Sequence, residues 1–242
     1  MTEQLVIAYE AESLYEQAKE LAESLALLID NQAKNKLLLT ADKLVLKMDS
    51  FSPLYSDFSH KTWQKRRDAG KKQGLVKACK PSPGVRIIDT TAGWGRDAAV
   101  LASFGAEVLM LERQPVIAAL LRDGLARQDE QSRKNLRLDL HEADAKTYLQ
   151  ALSPADYPDV IYIDPMHPTR QKAALVKKDM QALQQLLGAD NDAQALLEVA
   201  LSRAMKRVVI KWPQHLAAIL PPTTHIPGKV VRFDIYIPSN GG

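Results

Sequence analysis

The sequence predicts an α/β fold: a parallel, doubly wound sheet preceded by a small α/β subdomain. Three observations carry this. From residue 85 onward, short apolar runs alternate with helical stretches, the pattern of strands joined by covering helices. The first run, Val85 to Ile88, ends in an acid, Asp89, and passes through a small-residue loop with Gly93 and Gly95 into an apolar-rich helix. Pro81-Ser82-Pro83-Gly84 punctuates the chain directly in front of that run, as a domain boundary does.

In chain order, Gln4 to Tyr9 reads as a first strand. Ala11 to Leu28 reads as a helix, with Leu14, Ala18, Leu21, Leu25 and Leu28 at helical spacing. Leu37 to Thr40 and Lys43 to Met48 read as two strands joined at Ala41-Asp42, a hairpin. Residues 1–52 thus form the small subdomain, without evident chemistry. Residues 53–80 form a basic connector in which Phe51, Tyr55, Phe58 and Trp63 lie in or beside a cationic stretch. These rings suit stacking on bases, and equally suit packing the connector onto the next domain. Residues 81–242 form the main domain. Its further strands are Glu107 to Glu112, Leu136 to His141, Asp159 to Asp164, Arg207 to Lys211 and a last one after the turn at Pro227-Gly228. Its helices start at Pro115, a favoured first helical residue, and span about 147–151, 171–187 and 193–205.

Composition narrows the class. Hydrophobic residues at 46% and charged ones at 25% are ordinary for a globular protein. No run approaches the roughly 18 apolar residues a membrane helix needs. The start of the chain carries early acids and no basic segment, so a secretory signal is not expected. Cys79 is the only cysteine, which excludes an internal disulfide and fits a reducing, cytoplasmic setting. The five histidines show no ligand spacing, so no metal is expected. The net charge is +3, yet residues 60–80 alone carry +7, leaving −4 on the rest. Such a strip suits a polyanion, or is the solvated face of a helix.

Polar residues end every main-domain strand at the carboxyl edge, where ligands bind in such sheets. Asp89 and the glycine loop end the first, and Glu112 the second, placed to accept bonds from two ribose hydroxyls. Ala143-Asp144 follows the third, where an acid or backbone group can read an adenine amino group. Asp164-Pro165-Met166-His167-Pro168 follows the fourth. G93-x-G95-x-x-A98 satisfies the dinucleotide fingerprint, but Asp89 precedes the glycines as D-x-x-x-G-x-G. A carboxylate there repels a pyrophosphate and attracts an amino group. S-adenosylmethionine has an ammonium, a sulfonium and no phosphate, so the sequence resembles a class I, Rossmann-like methyltransferase. The D-P-M-H-P segment resembles the (Asp/Asn)-Pro-Pro-(Tyr/Phe) loop of methyltransferases acting on exocyclic amino groups. In that loop Asp164 and the Pro165 carbonyl accept the amine's two N–H bonds and aim its lone pair. His167 stands where the pattern has an aromatic, to stack on a base or act as a general base.

Four segments carry a closer resemblance: D-T-T-A-G-W-G-R-D-A (89–98), M-L-E-R-Q-P-V-I-A-A-L-L-R-D-G-L-A-R (110–127), Y-I-D-P-M-H-P (162–168) and Q-K-A-A-L-V-K-K-D-M (171–180). With the ending R-F-D-I-Y (232–236), they resemble the small-subunit ribosomal RNA methyltransferase J family, which makes N2-methylguanosine in 16S rRNA. The resemblance implies cofactor contacts at Arg96-Asp97, Glu112-Arg113, Ala143-Asp144 and Asp164, beside the loop residues Asp89, Gly93 and Gly95. It implies S-adenosylmethionine as cofactor, S-adenosylhomocysteine as product, and the small ribosomal subunit as partner. Lys65, Arg66, Arg67, Lys71 and Lys72 in the connector, and Lys172, Lys177 and Lys178 after the catalytic loop, are candidates for phosphate contact or solvated faces. Three further readings stay open: methylation of another nucleic-acid amino group, a nicotinamide-dependent oxidoreductase, and a non-catalytic RNA-binding assembly factor.

Overall fold

The computed structural model describes residues 5–49, 51–68, 73–166 and 192–238. Two sheets organise them. The smaller has three strands in the order β1 (Val6–Tyr9), β2 (Lys36–Leu39) and β3 (Leu44–Lys47), β1–β2 parallel and β2–β3 antiparallel. Helix α1 (Tyr15–Leu25) covers it, burying Ala18 and Ala22. Thr40 closes the β2–β3 turn by donating from Oγ1 to the Lys43 carbonyl at 2.9 Å.

Two short helices follow, α2 (His60–Asp68) and α3 (Gly74–Cys79). The connector is therefore helical over 60–68 and 74–79, while residues 53–59 run outside helix. Its aromatic residues divide: Phe58 and Trp63 are buried, and the Trp63 indole donates to Ser132 Oγ at 2.8 Å, so neither presents a face to a base. Tyr55 is partly exposed, with the Lys43 ammonium 4.2 Å from its ring centroid.

The larger sheet contains β4 (Arg86–Asp89), β5 (Glu107–Glu112), β6 (Arg137–Glu142), β7 (Val160–Ile163), β8 (Arg207–Pro213), β9 (Thr224–Ile226) and β10 (Val231–Tyr236). Their spatial order is β6-β5-β4-β7-β8-β10-β9. The first five are mutually parallel, while β10 runs antiparallel to both β8 and β9. From β4 the chain winds outward through β5 to β6, then returns to the other side of β4 with β7. The order thus reverses between β4 and β7, and that reversal opens a crevice at the carboxyl edge.

Both faces of this sheet are apolar, as a parallel sheet covered on two sides requires. Ile87, Val108, Met110, Val160, Tyr162 and Val209 face one layer, built with α4 (Arg96–Ala102) and α5 (Pro115–Ala126). Ile88, Leu111, Ile161, Ile163, Val208 and Ile210 face the other, against α7 (Ala145–Ala151) and α8 (Ala193–Leu201). Between α5 and β6, α6 (Glu130–Asn135) is capped by Asp129. The buried Ile7, Leu37 and Leu46 of the small sheet join the first layer, so that sheet shares a core with the body. Among the described residues, no helix is long and apolar enough to cross a membrane.

Candidate active site

The two-residue repeat of a strand decides what meets at the crevice. Asp89 lies on the same face of β4 as Ile87. Tyr162 and Asp164 lie on the same face as Val160, and Lys211 on the same face as Val209, all on the α4 side. Because Ile163 is in register with Ile210, the next residues along the two strands, Asp164 and Lys211, are neighbours. The Lys211 ammonium donates to Asp164 Oδ2 at 2.7 Å and to Asp97 Oδ2, from the first turn of α4, at 3.2 Å. Asp97 Oδ2 also accepts from the Tyr162 hydroxyl at 2.8 Å.

Burial and charge set these groups apart. Burial raises the Asp89 carboxyl, and nearby Asp97 and Asp164 reinforce this against the Thr91 N–H and Lys211, leaving it at about 8. Burial also raises Asp97, but there Lys211 and the Tyr162 hydrogen bond outweigh it and hold the acid below its usual range. Lys211 is pulled down by burial and pushed further up by its two carboxylates, so it is a permanent cation. The Tyr162 phenol is driven well above its ordinary value by burial beside these acids.

The glycine loop turns through left-handed backbone at Gly93 (φ 53°) and Gly95 (φ 69°). At Gly95 a side chain would also strike the Phe58 ring, 2.5 Å from the position of a Cβ, so the loop and the connector pack because that residue has none. The loop's N–H groups are engaged internally. Thr90 donates to the Tyr162 carbonyl, Thr91 to Asp89 Oδ1, Ala92 to the Leu111 carbonyl, Gly93 to Glu112 Oε2 and Gly95 to the Ala92 carbonyl. A pyrophosphate cradle needs such groups pointed at the ligand. This loop instead uses them to brace itself against β5 and β7.

A cleft of about 710 Å³, open to solvent, lies on the α7–α8 side of the crevice. Its walls include Thr91, Gly93, Glu112, Arg113, Ala143 and Asp144, then Asp164, Pro165 and Met166, with Leu111, Ala145 and Leu196 supplying apolar surface. Glu112 is nearly fully buried; its oxygens accept from Gly93 N (3.2 Å) and Gln114 N (2.9 Å), which fixes the plane of the carboxylate. Burial raises its pKa, opposed by those same N–H groups. Asp144 caps α7, its Oδ1 accepting from Thr147 N and Oγ1 at 2.9 Å. Across the cleft Arg113 pairs with Asp192 at 3.3 Å. Asp164 is held through its backbone as well as its side chain, its N–H donating to Thr91 Oγ1 at 2.7 Å.

The residues expected to form the site thus separate into two sets. Gly93, Glu112, Arg113, Ala143, Asp144, Asp164 and Pro165 stand together on the cleft wall. Asp89, Gly95, Arg96 and Asp97 are not on it; Asp89 is 1% exposed and Asp97 belongs to the lysine network on the sheet's other face. Of the cationic candidates, Lys65, Arg66 and Arg67 lie in the last turn of α2. Arg66 is close enough to Asp97 to help hold that carboxylate ionised. His167, Lys71, Lys72, Lys172, Lys177 and Lys178 lie outside the described residues, as does the expected helix at 171–187. Sequence reasoning missed Lys211, Tyr162 and Thr91. Only Lys211 left a signal: a lysine closing the apolar run R-V-V-I-K at an edge where acids gather.

The donor set fits a phosphate-free cationic nucleoside. Four acids, Glu112, Asp144, Asp164 and Asp192, sit beside an apolar slot, the carboxylate of Glu112 fixed by two N–H groups, while the loop amides are already occupied. Comparison with known proteins agrees. Residues 20–238 match the family model described as "Putative SAM-dependent methyltransferase". The ribosomal RNA small subunit methyltransferase J of Legionella pneumophila (strain Lens) is 55% identical over 232 residues, covering 96% of each chain. Its counterpart from Coxiella burnetii (strain Dugway 5J108-111) is 44% identical over 252 residues, covering 98% of each. The crystal structure of a SAM-dependent methyltransferase from Neisseria gonorrhoeae superposes with a TM-score of 0.72 at 28% identity, covering 99% of this chain and 98% of that one. A Rossmann-like sheet with this cleft, matched over nearly its whole length by such relatives, places the chain in the ribosomal RNA small subunit methyltransferase J family of SAM-dependent methyltransferases.

Proposed function

We propose that the protein methylates the exocyclic N2 of a guanine in 16S ribosomal RNA, acting in the cytoplasm on the small ribosomal subunit. The observation that carries this reading is the position of Asp164-Pro165-Met166 on the same cleft wall as Glu112 and Asp144. It brings an acceptor for an amine next to groups suited to an adenosine. When bound there, S-adenosylmethionine supplies an electrophilic methyl group on its sulfonium. Glu112 holds the ribose hydroxyls through lone pairs not used by Gly93 and Gln114. Ala143 and Asp144 meet the adenine edge, and Arg113 closes the rim with Asp192. Asp89, Gly95, Arg96 and Asp97 shape the loop and the wall from behind.

The guanine amine is a poor nucleophile because its lone pair is delocalised into the base. Asp164 and the Pro165 carbonyl accept its two N–H bonds, which holds the nitrogen at the angle where that lone pair faces the methyl group. The base must leave its stack to reach the cleft. Lys65, Arg66 and Arg67 of the 53–80 connector contact phosphates of the RNA, with Lys71, Lys72, Lys172, Lys177 and Lys178 as further cationic contacts. Residues 1–52 are a subdomain packed on the 81–242 catalytic domain. His167, next along the loop, stacks on the base.

The test is transfer of labelled methyl from S-adenosylmethionine to small subunits from cells lacking this gene, followed by nucleoside analysis. Label in N2-methylguanosine, absent with Asp164→Ala, is the expected result. Label in another nucleoside moves the activity to a different amino group. Loss of subunit maturation in the deletion strain, restored by Asp164→Ala, makes the protein an assembly factor.

A further inference from the structure

Three carboxyl groups, Asp89, Asp97 and Asp164, converge behind the catalytic loop, and among the described residues Lys211 is the lysine that touches two of them. Lys211 is not on the cleft wall. It reaches Asp164 from the α4 side of the sheet, while substrate meets Asp164 from the α7–α8 side. We propose that Lys211 is a positioning residue for methyl transfer: its ammonium, shared with Asp97, keeps the Asp164 carboxylate ionised and fixes the direction in which it accepts the amine. This rests on the reading of Asp164 as the amine acceptor.

Geometry and charge argue together. Two contacts of different kinds hold Asp164 among those described, Thr91 Oγ1 on its backbone N–H at 2.7 Å and Lys211 Nζ on its Oδ2 at 2.7 Å. The first places the residue; the second sets the rotation of its carboxylate. An ionised carboxylate only accepts hydrogen bonds, whereas a protonated one carries a donor that opposes an amine N–H. Acids that share a site without a cation do not all ionise. Asp89 is already the neutral member, raised to about 8 by burial beside the other two. Lys211 lets the remaining two stay charged. It is itself no base, since those two carboxylates hold its proton.

The groups facing this network from the packed elements are known among the described residues. Asp97 and the Tyr162 hydroxyl come from α4 and β7, and Asp89 from β4. Arg66 acts on Asp97 from α2. Cys79 of α3 is a buried thiol pushed well up by burial and by Asp89 and Asp97, so it stays neutral. On β10, Phe233 rather than an ionisable residue is in register with Lys211. Among these described groups, Lys211 is the cation that bonds Asp164 directly.

The experiment compares single-turnover rate against pH for the natural protein, Lys211→Met and Lys211→Arg on undermethylated small subunits, with S-adenosylhomocysteine affinity measured alongside. An opposite charge at this range moves a carboxylate by about 1–3 pH units. Lys211→Met is therefore expected to shift the acid limb of the profile upward by at least about one unit, with Lys211→Arg restoring it and cofactor affinity unchanged within about threefold. An acid limb that stays in place in Lys211→Met overturns the proposal. Asp97→Asn gives an independent arm if Lys211→Met fails to fold. It leaves the ammonium to Asp164 alone, so the acid limb moves downward, and an upward or absent shift again overturns it. Asp164→Ala separates the two readings. If it retains full activity, the amine-acceptor role falls and takes this proposal with it. If it is inactive while the Lys211 profile is unmoved, only this proposal falls.

Discussion

Asp89 carries a proton at a pH where an exposed aspartate has lost it, because burial at the end of β4 disfavours its charge. The consequence for stability has a definite sign. Between the ordinary aspartate range near 4 and about 8, the folded chain holds this proton and the unfolded chain does not. Raising the pH through that window therefore favours unfolding, by up to about 1.4 kcal/mol per unit from this group alone. Asn at this position keeps an oxygen for the Thr91 N–H and does not titrate. Asp89→Asn should gain in Tm over the natural protein as pH rises from 5 to 8. A difference in Tm that is flat across that range would count against a neutral Asp89. At this scale the sequence revealed the acids and not their cation. Glu112, Asp144 and Asp164 are legible because strand ends are countable in the sequence. Tyr162 is not, since a tyrosine inside an apolar run reads as a strand former, and its bond to Asp97 depends on α4 arriving from elsewhere.

Helix α2 is held at its start by side chains from both directions. Asp57 accepts from Ser59 N at 2.9 Å and Thr62 Oγ1 at 2.6 Å, and Asp129 Oδ2 accepts from His60 N at 2.7 Å. Asp129 Oδ1 meanwhile caps α6 through Ser132 N at 2.7 Å, and Ser132 Oγ receives the Trp63 indole. One carboxylate thus joins the two helices, and the His60 and Ser132 N–H groups keep its pKa low. Removing a cap costs about 0.5–2 kcal/mol, and this one serves two helix starts. Asp129→Ala is expected to lie at the upper end, about 2 kcal/mol by urea unfolding, with a change in Trp63 fluorescence; Asp129→Asn should lose less. An alanine variant as stable as the natural protein would show that the clamp is dispensable. These contacts also explain why α2 and α3 escaped the sequence reading. The described part of α2 buries only Trp63, so it has no apolar stripe to count, and its position is fixed by partners some seventy residues away. Four of the parallel strands, β4, β5, β7 and β8, were legible because each carries a run of apolar residues buried on both faces. Edge strand β6 only alternates Leu138 and Leu140 with exposed polar residues, whereas β5 falls on the expected residues, Glu107–Glu112. The three-residue β9 is too short to carry a pattern.

Over the whole molecule the charge is divided: +7 in residues 60–80 against −4 elsewhere. The fold sets that division to use by laying α2 against α4, beside the helix whose first turn carries Asp97. Trp63 turns inward from α2, while Lys61, Lys65 and Arg67 are exposed. A polyanion bound there gives up about 0.7–0.9 counterions for each phosphate a cation neutralises, so affinity falls with salt at a slope that counts the contacts. Lys65 and Arg67 are the cleanest pair to remove, since Arg66 also biases Asp97. If both meet phosphates, Lys65→Ala with Arg67→Ala should reduce the slope of log affinity against log salt by about 1.4–1.8. Affinity for small-subunit RNA at low salt should fall, and affinity for S-adenosylhomocysteine, with its proposed cleft on the other side of the sheet, should not. Titrations of RNA binding across a range of salt read this directly. An unchanged slope would assign the α2 cations to solvent and move the RNA footprint to another face.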